Sequence, residues 1–225
     1  HISTFSRLFL SYALPVEIKR IIYIDSDTII RHSLKYVWDM DMDGFWVMGA
    51  DDCRGKQYRR DIGIDPASIY TNNGFMVIDL ALWRDNNIDQ EFIKYIEKHN
   101  GNITYMDQGV LNGVLQPCKR VKLLPIAYNA QTVCYDLGYD GLDVCRNPVW
   151  AYSKDEFNNG INDPTVVHFT TCFLSGTRPW NERNNHIFRR EFLQYRSMTP
   201  WKDAPLWEDQ ATEFRKMFTA ICNIL

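Results

Sequence analysis

The chain has 225 residues, 45% apolar and 24% charged, with a net charge of −3 at pH 7. That length holds one large domain or two small ones with a buried core, and the mild acidity argues against a basic nucleic-acid-binding surface. No apolar run approaches the roughly 18 residues of a membrane-spanning helix, and no signal peptide is visible; the six cysteines (53, 118, 134, 145, 172, 222) lack Cys-x-x-Cys spacing and suit reduced thiols of a cytosolic protein better than a disulfide scaffold.

In chain order, residues 4–14 place Phe5, Leu8, Phe9 and Tyr12 at helical spacing, and Pro15 closes that helix. Residues 21–24, Ile-Ile-Tyr-Ile, predict a short strand covered on both faces, because the run is apolar without alternation. A short helix follows with Leu34, Val37 and Trp38 on one face, then a strand over 46–52 ending in Asp51 and Asp52. Residues 75–80 predict a third strand, preceded by Thr71-Asn72-Asn73-Gly74. Residues 86–101 form a clear helix pattern with Phe92, Ile93 and Ile96 inward and Gly101 as C-cap; 107–115 suggest a shorter helix with Asp107 as N-cap. Residues 135–165, rich in Gly, Asn, Asp and Pro, predict irregular chain, and 165–170 a last short strand. Without repeats or linkers, the pattern predicts one α/β domain over 1–200. The tail 201–225 has Trp207, Phe214, Met217, Phe218 and Ile221 on the apolar face of an amphipathic helix. The chain starts at His1, in mid-element, and reads as part of a longer one.

The stretch IIYIDSDTII raises the functional question. Ionised carboxylates are rarely buried without a partner, and Asp25 and Asp27 follow an apolar strand directly. In open α/β sheets the ligand crevice lies beyond the carboxyl ends of the strands, so an Asp-x-Asp there can present oxygens to Mg²⁺ or Mn²⁺. The plain alternative is a turn capped by an Asp side chain. A haloacid-dehalogenase-type phosphatase also opens with strand-Asp-x-Asp. It expects Thr or Val where Ile29 stands and a later Gly-Asp-x-x-x-Asp, which is missing; Asp140 and Asp143 are out of order.

Five blocks in order, FSRLFL, YIDSDTII, NNGFMVIDL, YMDQGVLN and VVHF followed by RPW, resemble glycosyltransferase family 8. These are retaining, metal-dependent sugar-nucleotide transferases, and bacterial galactosyl- and glucosyltransferases of lipopolysaccharide or capsule are the nearest in look. The resemblance implies a GT-A (Rossmann-like) α/β fold with a mixed, mostly parallel sheet flanked by helices, its opening β-α segment lying before His1. It implies that Asp25, Asp27 and His168 hold Mn²⁺ (or Mg²⁺) against the donor diphosphate. Ser26, Asn72, Asn73 and Gly74 would lie at the donor, with Asn73 where Ala or Ser is commoner. Asp107 would bind donor-sugar hydroxyls beside Gln108 at the anomeric carbon. Arg7, and Arg178 where Lys is usual, would bind phosphate or donor oxygens. The amide of Gln108 is a poor nucleophile, which favours a front-face, oxocarbenium-like route over a two-carboxylate scheme.

The implied partners are a UDP-sugar carrying galactose or glucose and a saccharide or lipid-linked saccharide acceptor, with no nucleic acid. The acceptor would enter over 128–160, past Asn129, Gln131, Tyr135 and Tyr139. Location would be cytoplasmic, peripheral at the inner membrane face if the tail makes contact there, although its balanced charge favours docking on the domain. His1, His32, His99 and His186 read as surface residues. The competing readings are an inactive fragment without the base-binding half and a sugar-binding module that needs neither nucleotide nor metal.

Overall fold

The computed structural model describes residues 2–170, 178–182 and 184–207. A 3-10 segment, Ile2–Phe9, runs into α1 (Leu10–Ala13), followed by β1 (Arg20–Ile24), β2 (Thr28–Ile30), α2 (Lys35–Asp39), β3 (Val47–Asp51) and α3 (Lys56–Asp61). Then come β4 (Thr71–Asp79), α4 (Leu80–Asp85), α5 (Ile88–Lys98), α6 (Met106–Leu115), β5 (Val121–Leu123) and a 3-10 turn, Ile126–Tyr128. The rest is β6 (Ala130–Gln131), α7 (Thr132–Arg146), α8 (Lys154–Asn162), β7 (Val166–His168) and α9 (Arg189–Ser197).

Two mixed sheets result, ordered β1-β4-β3-β5 and β2-β7-β6. The mixed α/β architecture is the one expected, with a smaller parallel share. β4 runs against both β1 and β3, and β2 runs against β7; among the strands described, β3–β5 and β6–β7 are the parallel pairs. β4 is the spine, buried at every residue but its last. Strand alternation sends Met76 and Ile78 into a core with Leu8, Trp83, Phe92, Val110 and Leu111, and Phe75 and Val77 into another with Val37, Met48 and Leu124. β1 lies at the sheet edge and is half-buried throughout, with Ile21 and Tyr23 on the first core and Ile22 and Ile24 on the second.

Several expectations change. Tyr12 is exposed and Trp38 is 42% exposed, so neither joins the core that Leu8 and Val37 enter. The third strand starts earlier than residue 75: residues 71–74 continue β4, with Thr71 paired to Asp51. Asp107 lies inside the first turn of α6, and Tyr105, at φ 64°, takes the cap position. The C-cap of α5 falls at His99 rather than Gly101; Asn100 (φ 51°) and Gly101 (φ 73°) follow it in left-handed conformation, and the Gly101 N–H bonds Ile96 O at 3.0 Å. Residues 135–165 are mostly helical: α7 bends at Gly138, whose φ 64°, ψ −176° suits glycine alone, and α8 starts on a Ser153–Glu156 capping box. Val133, Cys134, Leu142 and Phe157 bury the inner faces of both helices, so packing overrides a loop-like composition. The tail helix falls almost wholly outside the described residues. Cys53, Cys118, Cys134 and Cys145 are free thiols, and no helix among the described residues is long and apolar enough to cross a membrane.

His186 is buried rather than at the surface, packed against Phe169, Tyr135 and Phe188. Its Nδ1 accepts the Phe188 N–H at 3.1 Å. Burial lowers its pKa from the ordinary 6.5 to about 4, against a weak opposing pull from Asp136. The unfolded chain therefore takes up this proton first, and stability present above pH 6.5 is lost as pH falls toward 4. Urea unfolding is expected to lose up to about 3 kcal/mol across that window through this group. His186→Gln should flatten that part of the profile, and an unchanged profile would contradict the assignment.

Candidate active site

The Asp-x-Asp segment is the crossover between the two sheets. Asp25 N–H still bonds Gly74 O at 2.8 Å, extending the β1–β4 ladder, while Asp27 O already accepts Phe169 N–H at 2.8 Å, opening the β2–β7 ladder. Thr28 Oγ1 closes the turn by donating to Asp25 O at 2.9 Å. In that ladder Thr28 pairs with His168, which sets the imidazole beside both carboxylates. His168 Nε2 lies 3.2 Å from Asp27 Oδ1 and 3.8 Å from Asp25 Oδ2. One ligand atom from each of Asp25, Asp27 and His168 falls within 4.8 Å of the others, so the three could hold a metal ion. Gly74 backs onto this point, and a Cβ there would overlap the His168 ring.

Hydrogen bonds determine which imidazole nitrogen faces the carboxylates. Asp52, almost fully buried, can only accept. It takes Asn72 Nδ2 at 3.3 Å, Gln108 Nε2 at 2.9 Å and Arg54 Nε at 3.0 Å. Asn72 must then turn Oδ1 the other way, where it accepts Gly74 N–H at 2.9 Å and Asn129 Nδ2 at 2.8 Å. Asn129 Oδ1 is left facing His168 Nδ1 at 2.9 Å, so that nitrogen donates. Nε2 faces the carboxylates, where a second proton or a metal ion satisfies it.

Two arginines flank the acids. Arg7 Nη1 donates to Asn73 O at 3.1 Å and pairs ionically with Asp25 Oδ1 at 2.9 Å; its Nε is 3.0 Å from Asp107 Oδ2, an ion pair without hydrogen-bond alignment. Arg178 Nη1 bonds Asp27 Oδ2 and Phe169 O. Burial opposes the charge of Asp27, but the bonds from His168 and Arg178 prevail and hold its carboxyl at about 2. Asp107 is raised by burial, which outweighs Arg7 and the amide of Asn73. Burial also works on Asp52, yet Arg54, Arg146 and Gln108 keep it below the usual carboxylate range.

Of the residues singled out from sequence, Arg7, Asp25, Asp27, Asn72, Asn73, Asp107, Gln108, His168 and Arg178 line one cleft of about 410 Å³. Ser26 opens on an adjoining hollow with Trp180 and Trp207. Gln131 lines the cleft, but Asn129 is fully buried inside the amide chain, Tyr135 packs on His186 and Phe188, and Tyr139 stacks on Trp150 at 3.8 Å. Those three are not an open saccharide surface. Sequence reasoning assigned no site role to Asp52, Arg54 or Arg146. The doubled aspartate at a strand end was the available signal for Asp52.

Residues 1–184, which hold every one of these positions up to Arg178, match the family model described as Glycosyl transferase family 8. The chain belongs to glycosyltransferase family 8. It is 30% identical over 186 residues to General stress protein A of Bacillus subtilis, covering 82% of this chain and 60% of that protein. It is 23% identical over 210 residues to lipopolysaccharide 1,2-glucosyltransferase of Escherichia coli, covering 91% and 57%. The chain thus spans about three-fifths of the length of these two relatives. The fold is GT-A: the galactosyltransferase LgtC, solved in complex with donor and acceptor sugar analogs, superposes with a TM-score of 0.71 at 20% identity, covering 96% of this chain and 71% of that one.

Asn129→Leu keeps the bulk and removes both amide contacts. Nitrogen-15 spectra of the His168 ring are expected to change from a single Nδ1–H tautomer to a mixture, with Mn²⁺ affinity falling about 10- to 100-fold in calorimetry. An unaltered tautomer would refute the chain of bonds.

Proposed function

We propose that this protein transfers galactose or glucose from a UDP-sugar to a saccharide or lipid-linked saccharide acceptor, with retention of anomeric configuration and dependence on a divalent cation. One observation carries the reading: Asp25, Asp27 and His168 converge, with Arg7 and Arg178 beside them, on a cleft whose other wall is Asn72, Asp107 and Gln108. The relatives named for lipopolysaccharide glucosyl and galactosyl transfer support the hexose. Two carboxylates and one imidazole, with the imidazole Nε2 turned toward them, are a donor set that fits Mn²⁺ or Mg²⁺. Held there, such an ion would neutralise the diphosphate and improve it as a leaving group.

The chain's own residues supply the rest. Arg7 and Arg178 offer planar forks that can exchange carboxylate oxygens for phosphate oxygens as negative charge develops. Asp107 orients the sugar from the cleft wall, with Asn72 fixed behind it by bonds at both ends of its amide, and positioning alone contributes rate. Gln108 has both ends of its amide engaged, Nε2 on Asp52 and Oε1 under Asn72 Nδ2, so it serves as a fixed wall. Asp52 is buried and bonded at both oxygens, and Asp107 is tied to Arg7 and Asn73. With these carboxylates committed, a front-face route, in which the acceptor attacks on the side from which the diphosphate departs, is better supported than a covalent intermediate. The reading includes a cytoplasmic location, supported by the free thiols.

The test is hydrolysis of UDP-glucose and UDP-galactose by the full-length protein, read by mass spectrometry with Mn²⁺ and with EDTA. Mn²⁺-dependent release of UDP is expected, with a loss of at least about 100-fold in Asp27→Asn, the scale for removing one electrostatic element of catalysis. Turnover indifferent to EDTA would reject the metal role, and inertness toward every UDP-sugar would reject the transferase reading.

A further inference from the structure

The charges lining the cleft are segregated. Among the described residues, Asp25, Asp27 and Asp107, at the end where the sheets cross, face only two guanidiniums, Arg7 and Arg178. At the other end Asp52 faces two, Arg54 and Arg146. The first end is short of positive charge, as a cation site would be. The second holds one guanidinium in excess.

That excess sits on Arg146. Among the described residues its Nη1 reaches only the backbone oxygen of Asp52, at 3.5 Å, whereas Arg54 Nε takes the carboxylate at 3.0 Å. Among the described residues no carboxylate lies within ion-pair distance of Arg146. The ordinary account of an arginine in the last turn of α7 is attraction to the helix C-terminus. That account explains the residue's place on the helix but not why it lines the cleft beside a second arginine. Gln131 lines the cleft too, but it pairs with His168 in the β6–β7 ladder and so belongs to the other end. One further feature of the Arg146 wall suits a ligand. Tyr58 and Tyr105 stack at 4.3 Å between ring centroids, half-buried along the same wall, with the Arg54 guanidinium 4.8 Å over Tyr58. An aromatic wall suits the apolar face of a pyranose ring, and unmatched donors suit an anion.

Resting on the transfer reading above, we propose that the acceptor is an acidic sugar whose carboxylate or phosphate is received by Arg146 and Arg54. A donor whose diphosphate lies at Asp25 and Asp27 already has its anion placed. The guanidiniums stand at the opposite side of the His168–Asn129–Asn72–Asp52 chain, beyond Gln108. A second anion there belongs to the other substrate.

The experiment offers the full-length protein a UDP-hexose that it hydrolyses, with Mn²⁺ and three acceptors: methyl β-glucoside, methyl β-glucuronide and methyl β-glucoside 6-phosphate. At least one acidic acceptor should exceed the neutral one by about tenfold or more in kcat/KM, the scale of one charge-assisted hydrogen bond, and the two acidic arms separate carboxylate from phosphate. Arg146→Met should bring that ratio to about one, and Arg146→Lys should restore part of it. A ratio of one in the wild-type protein, or a ratio that Arg146→Met leaves unchanged, would overturn the proposal. So would an Arg146-dependent preference for UDP-glucuronate over UDP-glucose with a neutral acceptor, since that would place the acid on the donor. Calorimetric binding of the same three glycosides without nucleotide keeps the inference separate from the transfer reading. Arg146-dependent binding of an acidic glycoside supports it even if no UDP-sugar is turned over, and equal binding of all three counts against it.

Discussion

A buried carboxylate that can only accept hydrogen bonds sets the polarity of the whole site. Asp52 forces the amide of Asn72 to point its nitrogen inward, which turns Asn129 and finally presents His168 with Nδ1 protonated. No member of this chain can flip alone without leaving a buried donor facing a donor, a loss of about 1–3 kcal/mol for each unsatisfied group. The imidazole that meets Asp25 and Asp27 is thus oriented from the opposite wall of the cleft. Asp52 is held in its turn by Arg54 and by the neighbouring Asp51, whose carboxylate takes the N–H groups of Tyr70 and Cys53 and the buried Arg59.

The sheets explain why the acids stand where they do. β1 ends against β4 at Ile24–Phe75, and three residues after Asp25, at Thr28, the chain pairs in a different sheet opposite β7. Carboxylates on that crossover are neither buried in a ladder nor free in solvent. They remain partly buried at the junction of the β1–β4 and β2–β7 pairs. Gly74 completes the junction, since a side chain there would occupy the His168 ring.

What could be read from the sequence was local or carried by ordered blocks. β1, β3, the later part of β4, α5 and β7 followed from apolar runs and caps, and the Asp25, Asp27, His168 constellation followed from a strand-end pair and a family pattern. Long-range contacts were not legible. Asn129 reads as a surface amide until β6 is seen to lie beside β7, and Asp52 reads as a strand terminus until Gln108 and Asn72 are seen to close on it. The helices over 135–165 were hidden because Gly138 and a cluster of Asn and Asp residues mimic a loop. The Ser153–Glu156 spacing was a helix signal within that stretch. His186 gave no sign of burial, because its cover comes from Phe169 and Tyr135, far away along the chain.

The central claim is that one divalent ion is held by Asp25, Asp27 and the Nε2 atom of His168. Anomalous diffraction from crystals of the full-length protein grown with MnCl₂ and UDP tests it most directly. The account predicts a single manganese peak between those three side chains, with His168 Nδ1 still bonded to Asn129. A peak bound elsewhere, or one at this place that approaches His168 through Nδ1, would contradict it.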